Sequence, residues 1–358
     1  MVAFRLKPVE EQVIVITGAS SGIGLATARM AARRGARVVL SARNGNELAR
    51  AVEDIRAEGG RAIHFPADVS DPGQMFLLAD AAIAEFGQID TWINNAGVAM
   101  YGRLMDTPIV DMRRQFEVNY WGVVHGSRAA VPHLRKSGGA LINVASVLAE
   151  RAIPLQGNYC ASKHAVKAFT DALRMELEEE GANVAVTLVK PASMDTPLFE
   201  KARTLMDVEP QPIPPVYDPE VAAKAILACA EEAHRDVFVG GAGKMLDFMD
   251  KVTSRGTDRY MERRMFSAQE TDLPISPSRE DNLYEPMDID GGVRGRNWQG
   301  RTRGSSMYTW SAMHRGRAAM LAGSLGLAAA IGMKVFGNGR SNGGLKQKAR
   351  KLKLHRAL

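Results

Sequence analysis

Strand-like apolar runs alternate with longer helix-like segments over about the first 240 residues of the chain. Residues 12–17 (QVIVIT) form an apolar run, as expected for a strand buried on both faces of a parallel sheet. Because helical segments of ten or more residues separate such runs, the pattern predicts an α/β fold with a doubly wound parallel sheet. Such sheets bind ligands beyond the carboxyl ends of their strands. The six further predicted strands lie at residues 36–41, 61–65, 89–93, 140–145, 183–189 and 236–239.

A glycine-rich turn, TGASSGIG at residues 17–24, joins the first predicted strand to the first predicted helix. Gly18, Gly22 and Gly24 permit a tight turn and a close approach of the backbone to a diphosphate. The unpaired N–H groups at a helix start also bind anions. A tight turn without a ligand is the simpler interpretation of one such motif, but its place between strand and helix favours nucleotide binding.

Four further polar features lie at or near the ends of later elements. Asp68, after the third predicted strand, can accept a hydrogen bond from an adenine amino group or cap the next helix. Residues 94–97 (NNAG) follow the fourth strand, as a turn or as the wall of a cofactor site. Asn119 interrupts a predicted amphipathic helix, where it satisfies a buried partner or serves a site. Ser146 follows the fifth strand, as a cap or as a ligand-facing hydroxyl.

Tyr159 and Lys163 are four residues apart in the run YCASK. Side chains at this spacing lie on one face of a helix, close enough for an ammonium to stabilise a phenolate. A tyrosine titrates near pH 10, so a phenol that exchanges protons at neutral pH benefits from such a cation. A surface tyrosine beside a solvated lysine is the commoner arrangement for an isolated pair.

Taken together, these motifs resemble the single-domain branch of the short-chain dehydrogenase/reductase superfamily over about residues 10–245. The resemblance implies a Rossmann-like domain at residues 1–254. It also implies an oxidoreductase in which hydride passes between a nicotinamide nucleotide and a small-molecule carbonyl compound or secondary alcohol. The alternative is a nucleotide-binding scaffold without turnover. It is disfavoured because all four catalytic positions implied by the resemblance hold the expected residue types.

The same resemblance implies residue roles. Tyr159 is the general acid and base, while Lys163 lowers its pKa and holds the ribose hydroxyls of the cofactor. Ser146 positions the substrate oxygen, and Asn119 holds a water that connects Lys163 with solvent. The residues implied to bind the cofactor are Thr17, Gly18, Ser20, Ser21, Gly22, Ile23, Gly24, Ser41, Arg43, Asp68, Val69, Asn95, Ala96, Gly97, Tyr159, Lys163, Pro191 and Thr196.

The end of the second predicted strand bears on the choice of cofactor. Sites that prefer NAD usually have a carboxylate here, whereas this chain has Ser41 and Arg43. A guanidinium and a small hydroxyl suit a 2′-phosphate, so NADP(H) is expected in preference to NAD(H), with a solvated Arg43 as the alternative. One departure from the family pattern is Ala192, where glycine is usual after Pro191. Alanine restricts the backbone there.

Composition excludes several classes of protein. The 358 residues include two cysteines, Cys160 and Cys229, so a disulfide-dense scaffold and a four-cysteine zinc site are excluded. The seven histidines form no ligand cluster, and we expect no metal site. The first twelve residues lack the apolar stretch of a signal peptide, which predicts a reduced, cytoplasmic setting.

The last third of the chain differs in charge and composition. Residues 1–253 carry 27 basic and 31 acidic side chains, whereas residues 254–358 carry 19 and 9. Residues 255–310 hold few aliphatic side chains and predict a largely irregular linker. Residues 311–358 contain an apolar, small-residue-rich run, predicted as a helix at about 318–336, and then a basic tail.

Three interpretations of the tail remain open. It associates with or spans a membrane, docks on the body or a partner subunit, or stays largely disordered. Anchoring would make the tail the main determinant of function. Specific nucleic-acid binding is not expected, because the basic run has no interleaved aromatic residues. Relatives commonly associate through the helices near 110–134 and 157–180, so a homo-oligomer is expected. Apolar side chains at 147–157 and 192–217 favour an apolar carbonyl substrate.

Overall fold

The computed structural model describes residues 4–287, 291–296, 298 and 300–314. The strands are β1 Val13–Thr17, β2 Arg37–Ala42, β3 Arg61–Pro66, β4 Thr91–Asn94, β5 Met100–Tyr101, β6 Gly139–Val144, β7 Val184–Pro191, β8 Arg203–Thr204, β9 Val208–Pro210, β10 Asp236–Val239 and β11 Glu270–Pro274. The helices are α1 Gly22–Arg33, α2 Gly45–Ala57, α3 Pro72–Phe86, α4 Ile109–Phe116, α5 Gly122–Ser137, α6 Gly157–Glu179, α7 Leu198–Lys201, α8 Pro219–Glu231, α9 Gly241–Val252, α10 Ser254–Arg264 and α11 Met307–Met313.

Seven parallel strands form the central sheet, in the order β10, β7, β6, β4, β1, β2, β3. The chain builds outward from β1 to β3 and then crosses to β4 on the other side of β1, so the strand order reverses between β1 and β4. Helices flank the sheet, which confirms the predicted α/β fold with a doubly wound parallel sheet. A reversal of this kind opens a crevice at the carboxyl ends of the strands.

Apolar strands form the middle of the sheet because both of its faces are covered. Every residue of β1, β4, β6 and β7 is buried. This explains why the strands read as near-continuous apolar runs in the sequence. The largest described core cluster joins strand residues such as Val15 and Trp92 to helix residues such as Leu78 and Leu134.

Buried amides fix two helices on this sheet next to the crevice. Asn94 on β4 donates to Asn143 on β6 at 2.9 Å, and Asn143 donates to Thr170 on α6 at 2.9 Å. Asn94 also donates to Ser127 on α5 at 3.2 Å. Buried polar groups are costly unless they are paired, so this chain of bonds specifies how α5 and α6 lie against the strands.

The sequence predicts one long helix at about 110–134. The structure has this helix, but one of its turns is wider than an α-helical turn. The segments α4 and α5 are joined through a π-helical turn at Glu117–Trp121. Asn119 lies within this turn and is wholly buried. Single π-turns of this kind frequently mark functional sites.

The segment after β10 differs from the irregular linker that composition predicts. It contains α10 and the strand β11, which pairs antiparallel with β9. Three of its large apolar side chains enter clusters of the body: Met261 and Met265 pack with Ile153 and Cys160, and Leu283 joins the main core. The segment thus needs no core of its own, and the first compact unit extends to Thr309.

The rest of the chain, Trp310–Leu358, forms a second unit. The predicted apolar helix at 318–336 and the basic tail lie outside the described residues. Across the part of the chain that the structure describes, no helix is both long and apolar enough to span a bilayer.

Candidate active site

A cavity of about 460 Å³ lies at the carboxyl ends of the central strands. This volume falls within the range of small-molecule and cofactor sites, which is roughly 300–1,000 Å³. Most of the residues that the sequence predicts for the site line the cavity; the exceptions are Thr17, Gly24, Ser41 and Asn119. The lining residues that follow successive strands are Gly18, Arg43, Asp68, Asn95, Ser146 and Pro191.

The turn after β1 and the turn after β4 form one continuous wall. The Thr17 hydroxyl accepts hydrogen bonds from the N–H groups of Asn95, at 3.1 Å, and Ala96, at 3.2 Å. Gly18 has φ +65°, and a Cβ there would lie 2.7 Å from the Ala96 Cα, so this position requires glycine. Thr17 thus acts behind the cavity wall and does not line it.

The start of α1 suits a diphosphate. Ser21, the residue before α1, makes no side-chain capping bond, so it satisfies none of the first N–H groups of the helix. Lys201 on α7, a buried cavity residue, donates from Nζ to the Ser21 hydroxyl at 2.8 Å. A helix start and an ammonium therefore face the same part of the cavity, which fits an anion. No sequence motif marks Lys201, because only the fold brings α7 to this turn.

Ser146, Tyr159 and Lys163 lie together on the opposite wall. Ser146 follows β6, and the other two side chains project from α6. Tyr159 is buried, and this burial raises the pKa of its phenol, while a hydrogen bond with Ser146 acts in the opposite direction. The resemblance implies that Lys163 lowers this pKa. In the chain alone the pKa of Tyr159 is raised instead, because the phenolate form loses hydration when it is buried.

Lys163 is also buried, with its Nζ 5.7 Å from the centroid of the Tyr159 ring. Burial lowers the pKa of Lys163 to about 8. The Nζ donates a hydrogen bond to the Val144 carbonyl at 3.1 Å, which fixes the ammonium behind the phenol. At neutral pH the pair is therefore a neutral phenol beside an ammonium.

Asn119 connects this pair to the loop after β4. Its Oδ1 accepts from the Val98 N–H at 2.8 Å, and its Nδ2 donates to the Val98 carbonyl at 3.0 Å and to Ser162 at 3.1 Å. A Cβ at Gly97 would lie 3.3 Å from Asn119 Oδ1 and 3.5 Å from Lys163 Nζ. Asn119 thus lies behind the cavity wall, close to Lys163. Its implied role as a water holder remains a prediction.

We call the part of the cavity lined by Arg43 and Asp68 the adenosine end. Its network of hydrogen bonds and ion pairs is more elaborate than the sequence predicts. Asp68 pairs with Arg114 on α4 at 2.6 Å and accepts from the Ser70 hydroxyl at 2.7 Å. Burial acts to raise the pKa of Asp68, but the hydrogen bonds from Arg114 and Ser70 outweigh it and hold this pKa below its usual value. Asp68 is therefore an anion fixed at the cavity wall. Arg114 carries no sequence signal for this role, since it lies in an amphipathic helix.

Arg43 lines the same end, and Ser41 does not. The Arg43 guanidinium donates to the carbonyls of Asn282 and Tyr284, at 2.5 Å and 2.7 Å. Ser41 is fully buried, and its hydroxyl makes no hydrogen bond with a described residue. The position of Ser41 therefore does not support its predicted contact with the cofactor. Its side chain points into the core, so it cannot also face the cavity.

The loop after β7 reaches the dinucleotide turn from the other side. A Cβ at Gly22 would lie 3.3 Å from the Thr196 side chain, and both Pro191 and Thr196 line the cavity. Among the described non-glycine residues, Leu155 alone has a positive φ, so Ala192 adopts ordinary backbone geometry. Alanine in place of the usual glycine is therefore accommodated here without strain.

The glycine cradle, the helix start with its buried Lys201 and the fixed polar groups together fit a nicotinamide dinucleotide. Comparison with known proteins agrees with this geometry. Residues 12–206 match the family model described as short chain dehydrogenase. The uncharacterized oxidoreductase YxnA of Bacillus subtilis (strain 168) is 43% identical over 310 residues, which cover 85% of this chain and 86% of that protein.

Two solved structures share the fold. A short chain dehydrogenase/reductase from Burkholderia phymatum, in complex with NAD, is 30% identical with a TM-score of 0.63, covering 76% of this chain and 100% of that one. An alcohol dehydrogenase from the archaeon Thermococcus sibiricus, complexed with 5-hydroxy-NADP, is 25% identical with a TM-score of 0.57, covering 63% of this chain and 95% of that one.

Proposed function

The chain belongs to the short-chain dehydrogenase family of oxidoreductases, and on this premise we propose that it interconverts a carbonyl compound and a secondary alcohol with NADP(H). The observation that carries the proposal is the meeting of Ser146, Tyr159 and Lys163 on one wall of a cavity whose other wall is a glycine-rich turn. The bound nucleotide supplies or accepts the hydride, and the protein supplies geometry and protons.

The three side chains divide the work of proton transfer. The Ser146 hydroxyl lies at the cavity surface, where it can donate to the substrate oxygen and fix its position. Tyr159 donates a proton to that oxygen during reduction and removes it during oxidation. The Lys163 ammonium stabilises the phenolate that Tyr159 becomes after donation. Because burial raises the pKa of the phenol, Tyr159 starts reduction in the protonated form.

Charge at the adenosine end supports NADP(H) as the cofactor. No carboxylate ends β2, and Arg43 lines the cavity there. A guanidinium binds a 2′-phosphate in a charge-assisted way. The two solved relatives contain an NAD and an NADP derivative, so cofactor preference has to come from this chain's own residues.

The substrate end of the cavity favours an uncharged apolar compound. Its lining includes Ile153, Phe199, Ile213 and Met265. Of the charged lining residues, Arg43, Asp68 and Lys201 lie with the nucleotide-site groups described above, and Lys163 is held behind the phenol by its bond to the Val144 carbonyl. A charged substrate would lose hydration there without gaining a partner.

A substrate screen that follows NADPH and NADH consumption side by side tests the proposal. Apolar ketones and aldehydes should be reduced with NADPH in preference to NADH, and carboxylated analogues of the same size should react poorly. Equal rates with charged analogues would contradict the substrate class. If neither nucleotide is consumed with any carbonyl compound or alcohol, the proposal that the chain is an enzyme is contradicted.

We also propose that the chain forms a homo-oligomer in a cytoplasmic setting. Exposed apolar residues on the helices implied in subunit contacts, including Val110, Trp121 and Met175, suit a homo-oligomer. Both cysteines are free and buried, which suits a reduced cytoplasmic setting. Light scattering of the purified chain tests whether it forms a homo-oligomer. Fractionation of the full chain against one ending at residue 314 tests membrane attachment through residues 318–336.

A further inference from the structure

A segment of the C-terminal extension crosses the adenosine end of the cavity. We name residues 279–287 the strap. Side chains of the cofactor-binding body hold its backbone carbonyls: Arg43 binds those of Asn282 and Tyr284, and Arg114 donates from Nε to that of Leu283 at 3.1 Å. Asn44 completes the set by donating to the Met287 carbonyl at 2.9 Å. The strap is therefore fastened to the turns that follow β2 and to helix α4.

The beginning of the strap is anchored on the loop that carries α7. Arg279 forms a salt bridge with Glu209 at 3.0 Å, and both side chains are largely buried. The same guanidinium donates to the carbonyls of Ala202, at 2.6 Å, and Glu200, at 2.8 Å. A buried, multiply bonded arginine fixes a backbone segment far better than an exposed ion pair does.

Leu283 is the apolar anchor in the middle of the strap. It is fully buried and belongs to the core cluster that includes Val69 and Val118, both of which line the cavity. The Asp281 carboxylate accepts from the Leu283 N–H at 3.0 Å and so sets the turn that aims this side chain inward. Burial of this leucine stabilises the closed strap, and the stabilisation is lost whenever Leu283 leaves the core.

The strap borders the cavity at one residue. Asn282 lines the cavity together with Arg43 and Asp68, while Leu283 lies in the core and outside the lining. The Gly292 carbonyl, from a second described stretch of the extension, accepts from the Gly22 N–H at 2.9 Å. The extension thus touches both the adenosine end and the edge of the dinucleotide turn.

We propose that residues 279–287 form the outer wall of the dinucleotide site and retain a bound nicotinamide nucleotide between turnovers. This inference rests on the proposed function, since it needs the cavity to bind such a nucleotide. Release then requires Leu283 to leave the core and Arg43 to part from the strap carbonyls. Opening of this kind limits the dissociation rate more than the association rate.

Nucleotide dissociation measures the strap directly. The full-length protein is loaded with NADPH, mixed with excess NADP⁺, and followed by NADPH fluorescence. Leu283→Asp places a charge in the core cluster and should speed dissociation about tenfold or more, which corresponds to losing an apolar contact worth roughly 1.4 kcal/mol. The matched control is Leu273→Asp, the same change at a leucine that is 56% exposed on β11, which should leave the rate unchanged.

A second variant keeps the test valid if Leu283→Asp unfolds. Arg279→Ala removes the anchor of the strap without touching the core cluster, and it should also speed dissociation. Because it leaves the largely buried Glu209 carboxylate without this partner, the thermal midpoint should fall, and dissociation is measured well below that midpoint. Unchanged dissociation in a folded Arg279→Ala protein overturns the proposal. Tighter nucleotide binding in either variant also overturns it, because the strap would then compete with the nucleotide. Absence of nucleotide binding in the wild-type protein would instead contradict the proposed function.

Discussion

The two ends of the cavity are assembled from very different parts of the chain. At the reacting end, Ser146, Tyr159 and Lys163 come from a strand end and the helix that follows it, so local structure alone brings them near one another. At the adenosine end, Arg43 contacts a carbonyl that is 241 residues further along the chain. The reacting side chains of this site are therefore brought together by local structure, whereas the wall at its adenosine end depends on contacts between distant parts of the chain.

The physical character of the two ends differs as well. Burial dominates at the reacting end, where it raises the pKa of Tyr159 and lowers that of Lys163. Hydrogen bonds dominate at the adenosine end, where Arg114 keeps Asp68 ionised despite its burial. Changes at the reacting end should therefore alter turnover and pH dependence, and changes at the adenosine end should alter nucleotide affinity and exchange.

The largest expected effect is at Tyr159. Tyr159→Phe removes the proton donor and should lower carbonyl reduction by about a thousandfold, as general acid catalysis contributes roughly 10²–10⁴. Nucleotide binding, followed by fluorescence titration, should be nearly unchanged. Tyr120→Phe, at a half-buried tyrosine outside the cavity lining, is the matched control. Full activity of Tyr159→Phe would favour a nucleotide-binding scaffold over an enzyme.

The next effect concerns stability and pH at Lys163. Its pKa is about 8 in the folded chain, whereas an unfolded lysine titrates near 10.4. Between these values the unfolded chain binds more protons, so stability rises with pH. Relative to Lys163→Met, the wild-type protein should gain about 2 kcal/mol in free energy of unfolding from about pH 7.5 to about pH 9.5.

Urea unfolding at the two pH values measures this gain. Lys136→Met, at an exposed position, provides the control and should show no pH-dependent difference. If the difference between wild type and Lys163→Met stays constant with pH, the ammonium is better hydrated than its burial implies.

At the adenosine end, Arg43→Met should reduce the preference for NADPH over NADH about tenfold, since the lost contact is to a charged group. The ratio of the two dissociation constants is the measurement, because any loosening of the strap affects both nucleotides alike. Arg50→Met, at a side chain that is 71% exposed on α2, should leave the ratio unchanged. An equal loss for both nucleotides would remove Arg43 from the specificity of the site.

The smallest effect is expected at Tyr284, whose hydroxyl donates to Asp111 at 2.8 Å. Tyr284→Phe removes one hydrogen bond of the strap, worth about 1 kcal/mol, and should speed NADPH dissociation about fivefold with turnover otherwise similar. Stopped-flow displacement measures the change. A rate indistinguishable from wild type would show that the strap is held by its other contacts and not by the Tyr284 hydroxyl.

Much of the fold and the reacting end could be predicted from patterns of two kinds. Apolar runs such as residues 12–17 predict buried parallel strands because both faces of the sheet exclude water. The four-residue spacing of Tyr159 and Lys163 predicts a shared helix face. Neither pattern extends to Arg114, which pairs with the cavity residue Asp68, or to Lys201, which lines the cavity itself. Both lie on helices whose sequences are ordinary.

Composition alone does not show where a segment packs. Residues 255–310 have too few apolar side chains to form a core, and the prediction of an irregular linker follows from that. Three of those side chains, Met261, Met265 and Leu283, enter clusters that the body has already formed. Ser41 illustrates the reverse case, since a residue at a strand end faces either the core or the cavity, and β2 turns it toward the core.

By itself, the sequence determined the parallel α/β sheet, the glycine-rich turn and the helix face shared by Tyr159 and Lys163, because each follows from periodicity or spacing within a few residues. Only the tertiary structure decided what surrounds them: the ion pair that holds Asp68, the lysine beside Ser21, and the strap over Arg43. These contacts join residues far apart along the chain, and no local pattern encodes a partner that only the folded backbone brings near.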